Sequence, residues 1–298
     1  MRRALLFAVA LAGCVDIADE GTPWEDASSM TGAMAPELGP APTTRAEPGC
    51  TIRIASWNVH KVPDAGEVAD RLKLPSEIQR ADVILMQESS AYADESMSRT
   101  AQIAEALGMT WAHQPVRDLG DGGVQGNAIL SRFPLESVKV KTLPYIEQPF
   151  HPQPRGAIAA DVVVGERRVR VVSVHLDVRI SITDRVRQLD PAVIDLADRA
   201  VIGGDFNTAP WTWVEALVPL TSSEAVIGMK QAALLDDYMK SRRFAGNIPV
   251  ETSTFQAPGI GMRLDNLYSR TVPVIASGVE HLDGSDHWPI WVDVDLCN

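Results

Sequence analysis

From residue 51 onward the apolar residues fall into short runs with two recurring periods. Thr51 to Val59 alternates apolar and polar side chains, the mark of a half-buried strand. Residues 64–80 carry helical spacing, which Pro75 breaks or restarts. Val83 to Glu88 is an unbroken apolar run, as in a strand covered on both faces. Residues 95–107 predict a helix ended by Gly108, followed by a short strand at Trp111–Gln114 and a glycine-rich loop at Gly120–Gly123. Gly126–Ser131 is a further strand, stopped by Pro134. The runs Ala157–Val164 and Arg167–His175 flank Gly165-Glu166 and predict a hairpin. Residues 183–199 predict a helix despite Pro191, residues 200–207 a strand, and Trp211 to Leu220, with Trp213, a helix after Pro210. Residues 221–262 show no readable period, and Leu264–Arg270, Val272–Gly278 and Trp288–Leu296 close the chain as strands. Paired strands with helices interspersed predict an α+β fold, a two-sheet β-sandwich flanked by helices.

Several of these strands end in polar residues. Asn58 follows Ser56-Trp57, Glu88 follows Gln87, His175 closes one run, and Asp205 and Asn207 close Val201-Ile202-Gly203-Gly204. Asp286-His287 opens the last strand. Side chains two apart on a strand share a face, so Asp205 and Asn207 are expected on one side. Taken singly, each has a plain structural reading: a turn residue, a solvated acid, a satisfied histidine, or for Asp205 and Asn207 an Asx turn. Their recurrence at strand ends points to one polar rim.

The remaining stretches change the picture in three ways. Arg2 and Arg3, the apolar run Ala4 to Leu11, and Ala12-Gly13-Cys14 read as an export signal. Residues 15–49, rich in Pro, Ala, Gly, Thr and acids, predict a disordered tether, leaving 50–298 as the folded domain. Cys50 and Cys297 then remain as a disulfide candidate bracketing that domain, with two free thiols as the other reading. The net charge is −12, of which −8 belongs to the domain, so the chain lacks the general basic footprint of a nucleic-acid binder. Carboxylates gathered around a divalent cation would absorb part of that excess.

The polar stretches, in order, resemble the endonuclease/exonuclease/phosphatase superfamily, which has the deoxyribonuclease-I-like fold. The matching segments are Ser56-Trp57-Asn58-Val59, Gln87-Glu88, Gly126 to Pro134, Arg155-Gly156-Ala157, Val174-His175-Leu176, Gly204-Asp205-Phe206-Asn207, Leu264-Asp265-Asn266 and Ser285 to Pro289. Leu11-Ala12-Gly13-Cys14 similarly resembles a bacterial lipobox. That second resemblance implies a lipid on Cys14 and a place in the bacterial cell envelope.

The superfamily resemblance implies an exported, metal-dependent phosphoesterase, more specifically a phosphodiesterase acting on nucleic acid or a phospholipid headgroup. Glu88, with Asn58 and Asp286, would hold Mg2+, with Mn2+ or Ca2+ as alternatives. Asp205 would orient or deprotonate the attacking water, and Asn207 would hold that water or a phosphate oxygen. His175 and His287 would donate hydrogen bonds to the phosphoryl group, Asp265 would orient His287, and Arg155 would contact phosphate. The chain departs from inositol-polyphosphate phosphatases at Arg263-Leu264-Asp265-Asn266, and from apurinic endonucleases in having a histidine at 175. A non-catalytic binding lipoprotein on the same fold is the alternative reading.

Overall fold

The computed structural model describes residues 17–44, 46–60, 64–120, 122–147, 153–178, 180–209, 212–214, 218–220, 230–257 and 260–298. Two mixed sheets pack face to face. One contains β1 (Thr51–Asn58), β2 (Val83–Ala91), β3 (Thr110–Gly120) and β4 (Gly123–Ser131). The other contains β5 (Leu135–Thr142), β6 (Gly156–Val164), β7 (Arg167–His175), β8 (Ala200–Asp205) and β9 (Asp265–Arg270). The last two strands, β10 (Val274–Val279) and β11 (Ile290–Asp295), return to the first sheet. Their order there is β10-β11-β1-β2-β4-β3, and in the second sheet it is β9-β8-β7-β6-β5.

Alternation of side chains explains the layering. In β1, Ile52 and Ile54 face the gap between the sheets, where Leu85, Ile129, Ile158, Val171 and Val201 meet them. Ala55 and Trp57 face outward onto α1 (Ala65–Lys73) and α2 (Arg99–Leu107). On the far side, Val172 and Ile202 pack against α3 (Ile182–Val193) and α4 (Lys230–Ser241). Ser98 caps the start of α2 by accepting from the Ala101 amide, and Gly108 ends it at φ +68°. Each sheet has one parallel pair near its middle, β1 with β2 and β7 with β8, and every other pairing is antiparallel. A parallel pair delivers two strand ends to one rim.

Two expectations fail here. The stretch after Pro210 is not helical in its described residues: Thr212–Val214 and Val218–Leu220 pair as short antiparallel strands. The tether is not unstructured across 17–44 either. Glu25–Asp26 adds to the edge of the second sheet on β5, and Glu37–Leu38 adds to the edge of the first on β3. Ala27 enters the core between the sheets. Two-residue ladder additions need no hydrophobic period, so composition alone reads as disorder. The predicted Cys50–Cys297 disulfide is present, with Cα atoms 5.2 Å apart. Cys14 lies outside the described residues, and no described helix is long and apolar enough to cross a membrane.

Candidate active site

The period-two pattern that fills the core also builds the site. In β1 the inward series Ile52, Ile54, Ser56 ends at Asn58, and in β7 the series Val169, Val171, Ser173 ends at His175. In β8, Val201 and Gly203 lead to Asp205, which pairs in register with His175. Three side chains from two sheets thus enter one gap at one rim. Beneath them the Gln87 amide donates to Ser173 Oγ at 3.0 Å, and that hydroxyl donates to the Met86 carbonyl at 3.0 Å, joining the sheets through buried polar groups. Gly203 and Gly204 make room for this closeness. A Cβ on Gly203 would lie 2.5 Å from Leu267, and one on Gly204 would lie 1.8 Å from the Val174 carbonyl oxygen.

Asp205 is the centre, 1% exposed. Its Oδ2 accepts from Asn58 Nδ2 at 3.0 Å and lies 3.4 Å from His175 Nε2 and 3.6 Å from His287 Nε2. Its Oδ1 accepts from the Asn207 amide at 2.9 Å. Asp265 enters opposite Asp205 on the antiparallel neighbour β9 and accepts from His287 Nδ1 at 2.8 Å. Thr254 Oγ1 donates to the same Asp265 oxygen at 2.7 Å. His287 is fixed further by Trp57, whose indole donates to its carbonyl at 3.0 Å, and by the ring edge of Phe255, 5.1 Å away between centroids. Asp205, Asp265 and His287 place their polar atoms within 4.8 Å of one another.

This arrangement separates the two histidines electrostatically. Burial, the largest single influence on His287, opposes its charge, but Asp265, Asp205 and Asp286 outweigh it and hold the ring protonated. Burial and the nearby positive charges of Arg155, His287 and Arg117 push His175 well below the ordinary histidine range, leaving it neutral. Burial also raises the Asp205 carboxyl, against the pull of His287 and with a push from Asp265. The result is an imidazolium and a neutral imidazole on either hand of one carboxyl of raised basicity.

Asn207 departs from the expected strand geometry. The strand ends at Asp205, and Asn207 adopts φ +51°, a conformation asparagine tolerates. Its backbone closes an Asx turn on Asp205 while its Nδ2 donates to the Leu176 carbonyl at 2.8 Å. The turn and the site are therefore the same structure.

Glu88 and Asp286 come in on either side of Asn58, in the strand order β11-β1-β2. Asp286 Oδ1 lies 3.3 Å from the His60 ring, and the backbone amide of His60 donates to Asn58 Oδ1 at 3.0 Å. Glu88 breaks the alternation of β2. It takes φ +58° where the register slips between Met86 and Ser89, and this re-aims its carboxylate into the pocket beside His175. There Gln125 Nε2 lies 3.4 Å from it, and Arg117 in the same pocket wall feels its charge. A half-buried carboxylate held by a left-handed backbone and next to an amide oxygen donor fits a hard divalent cation.

Arg155 lines the same pocket and pairs with the buried Asp177 at 3.2 Å. Sequence reasoning missed Asp177, Thr254 and Gln125. Asp177 stands two residues after His175, but nothing in its neighbours marks it as buried. The other two act through contacts that only the tertiary structure creates.

The profile of the Endonuclease/Exonuclease/phosphatase family matches residues 55–287. The chain belongs to that family. Its solved relatives carry the same two-sheet architecture at low identity. An endonuclease/exonuclease/phosphatase from Beutenbergia cavernae superposes with TM-score 0.62 at 20% identity, over 83% of this chain and 72% of its own. The human Nocturnin catalytic domain with bound sulfate gives TM-score 0.56 at 16% identity, over 90% and 99%. TDP2 of D. rerio, complexed with a single-stranded DNA product, gives 0.54 at 16%, over 83% and 100%. No curated protein matches the sequence. Family members are phosphoesterases that use divalent metals, and the rim of this member presents a buried Asp-Asp-His group.

Proposed function

We propose that this chain is an exported phosphodiesterase dependent on a divalent cation, Mg2+, that hydrolyses a nucleic-acid or phospholipid phosphodiester. The observation that carries the reading is the line Asp205, His287, Asp265, in which one imidazole is hydrogen-bonded to Asp265 at 2.8 Å and faces Asp205 at 3.6 Å, flanked by two buried carboxylates. Asn58, Glu88 and Asp286 supply the oxygen donors for the cation. When bound there, the cation neutralises phosphoryl charge and polarises the ester.

The chain's own groups account for the rest. Asp205 takes the proton of an incoming water, its basicity raised by burial. His287, kept protonated by its carboxylates, donates to the phosphoryl oxygens as negative charge builds, and neutral His175 donates beside it. Asp265 orients the His287 ring, and Thr254 fixes Asp265. Asn207 holds the turn that aims Asp205, and Arg155, with Asp177 behind it, offers a guanidinium to phosphate.

Export is supported by the Cys50–Cys297 bridge, which suits an oxidising compartment, and by the basic and apolar leader ending at Cys14. A lipid on Cys14 belongs to the same reading.

Hydrolysis of bis-(p-nitrophenyl) phosphate with Mg2+, with and without chelator, tests the activity. Asp205→Asn and His287→Gln should each lower kcat by about two orders of magnitude or more. Retained rate in either would remove these residues from the chemistry. Absence of turnover in the intact protein would favour a non-catalytic binder. A Cys14→Ser form that still partitions into a detergent phase would remove the lipid.

A further inference from the structure

Beside Asp205 and His175 the rim opens into a pocket lined by Glu88, Arg117, Gln125, Arg155, Gly156 and His175. Arg117 lies on β3 opposite Gln125 of β4, just where the register slips between Pro115 and Arg117. Such a slip re-aims the side chains around it. The Gln125 amide lies 3.4 Å from the Glu88 carboxylate, so Arg117 stands one cross-strand step from the proposed cation ligand.

Arg117 differs from the other inward-facing arginines in its partners. Arg155, across the pocket, pairs with Asp177 at 3.2 Å. Arg53 pairs with Asp293 and Glu77, Arg263 with Asp236, and Arg185 donates to the Val178 carbonyl. Arg117 is half-buried, and its described counter-charge is the Glu88 carboxylate in the same pocket wall, with which it makes no hydrogen bond or contact ion pair. Burial opposes the Arg117 charge and Glu88, the carboxylate proposed to hold the cation, favours it. With Glu88 engaged by the cation, the guanidinium would turn to an anion from outside, and in a phosphodiesterase that anion is substrate.

We propose that Arg117 recognises a second phosphate on the substrate, adjacent to the ester that is cleaved. The proposal rests on the phosphodiesterase reading and narrows it. A planar guanidinium fork matches a phosphate oxygen pair. A nucleotide chain presents such a second phosphate on its neighbouring link. A choline headgroup instead carries a cation beyond its phosphate and meets Arg117 as a like charge. The subsite therefore selects nucleotide chains over choline phospholipids.

Thymidine 3′,5′-bisphosphate tests this regardless of strand polarity, because either phosphate can occupy the reaction centre while the other reaches Arg117. Its Kd, measured by calorimetry with Mg2+, is compared with those of thymidine 3′- and 5′-monophosphate. The intact protein should prefer the bisphosphate by about tenfold or more. Arg117→Gln should collapse that ratio to about two or less, and Arg117→Lys should retain part of it. Thermal melting of both variants establishes that they fold. An intact protein without the preference, or a folded Arg117→Gln protein that keeps it, overturns the proposal. Failure of the activity reading is distinct: the calorimetric preference would stand while bis-(p-nitrophenyl) phosphate remained uncleaved.

Discussion

His113 shows how a single buried side chain sets a pH limit. It lies on β3, 1% exposed, and its neutral ring faces the Ser89 carbonyl at 3.3 Å. Burial, the largest influence, pushes it from 6.5 down to about 4, against the opposing hydrogen bond to Ser89. The unfolded chain therefore takes up a proton below about 6.5 that the folded chain refuses until about 4. His113 costs no stability above that window, and stability is lost as pH falls through it, by on the order of 3 kcal/mol in full. His113→Gln should show a smaller loss of unfolding free energy between pH 7 and pH 4 in urea titrations. An equal loss would mean that His113 protonates within the fold. At this scale the sequence reveals a residue when its environment is local. Asn58, His175 and Asp205 were legible because each ends an alternating run whose inward members fill the core. Glu88 was legible as a polar residue closing an apolar run, but the direction of its side chain was not, since its left-handed backbone breaks the alternation of β2.

Among the elements, the parallel pair β7 and β8 is the most demanding. Gly204 has φ +154°, and its α-carbon approaches the Val174 carbonyl so closely that a methyl group has no space. Gly204→Ala should cost about 3 kcal/mol or more and displace the registered pair His175 and Asp205, lowering both melting temperature and kcat. An alanine variant with unchanged melting and turnover would mean that the two strands do not approach as described. Strong periods carried most of the core strands and the first three helices into the sequence reading, with boundaries shifted by a few residues. The stretch after Pro210 was misread because Pro followed by apolar residues suits a helix start as well as a short strand. Helix α4 went unread because the polar, turn-rich residues around it obscure its period.

For the molecule as a whole, the bridge between Cys50 and Cys297 ties the residue before β1 to one just after β11, strands already paired Asp295 to Thr51. It closes a loop with a sequence separation of 247, for which chain entropy alone suggests up to about 5 kcal/mol. Reduction, or Cys50→Ser with Cys297→Ser, should lower the denaturant midpoint while leaving activity in dilute buffer unchanged, because the ladder holds the same geometry. Unaltered midpoints would mean the bridge contributes nothing to stability. The pairing was legible from cysteine arithmetic, whereas the packing of residues 17–44 on both sheet edges was not.

That edge packing bears on how far the folded domain can stand from Cys14. Thr22 is pinned to Thr142, and Thr142 is paired with Gly156 of the pocket wall. A free segment running from Cys14 to residue 49 would reach about 120 Å, but the eight residues from Cys14 to Thr22 reach at most about 28 Å. Were Cys14 to carry the proposed acyl chain, the folded domain would sit within that short distance of the bilayer instead of at the end of a long tether.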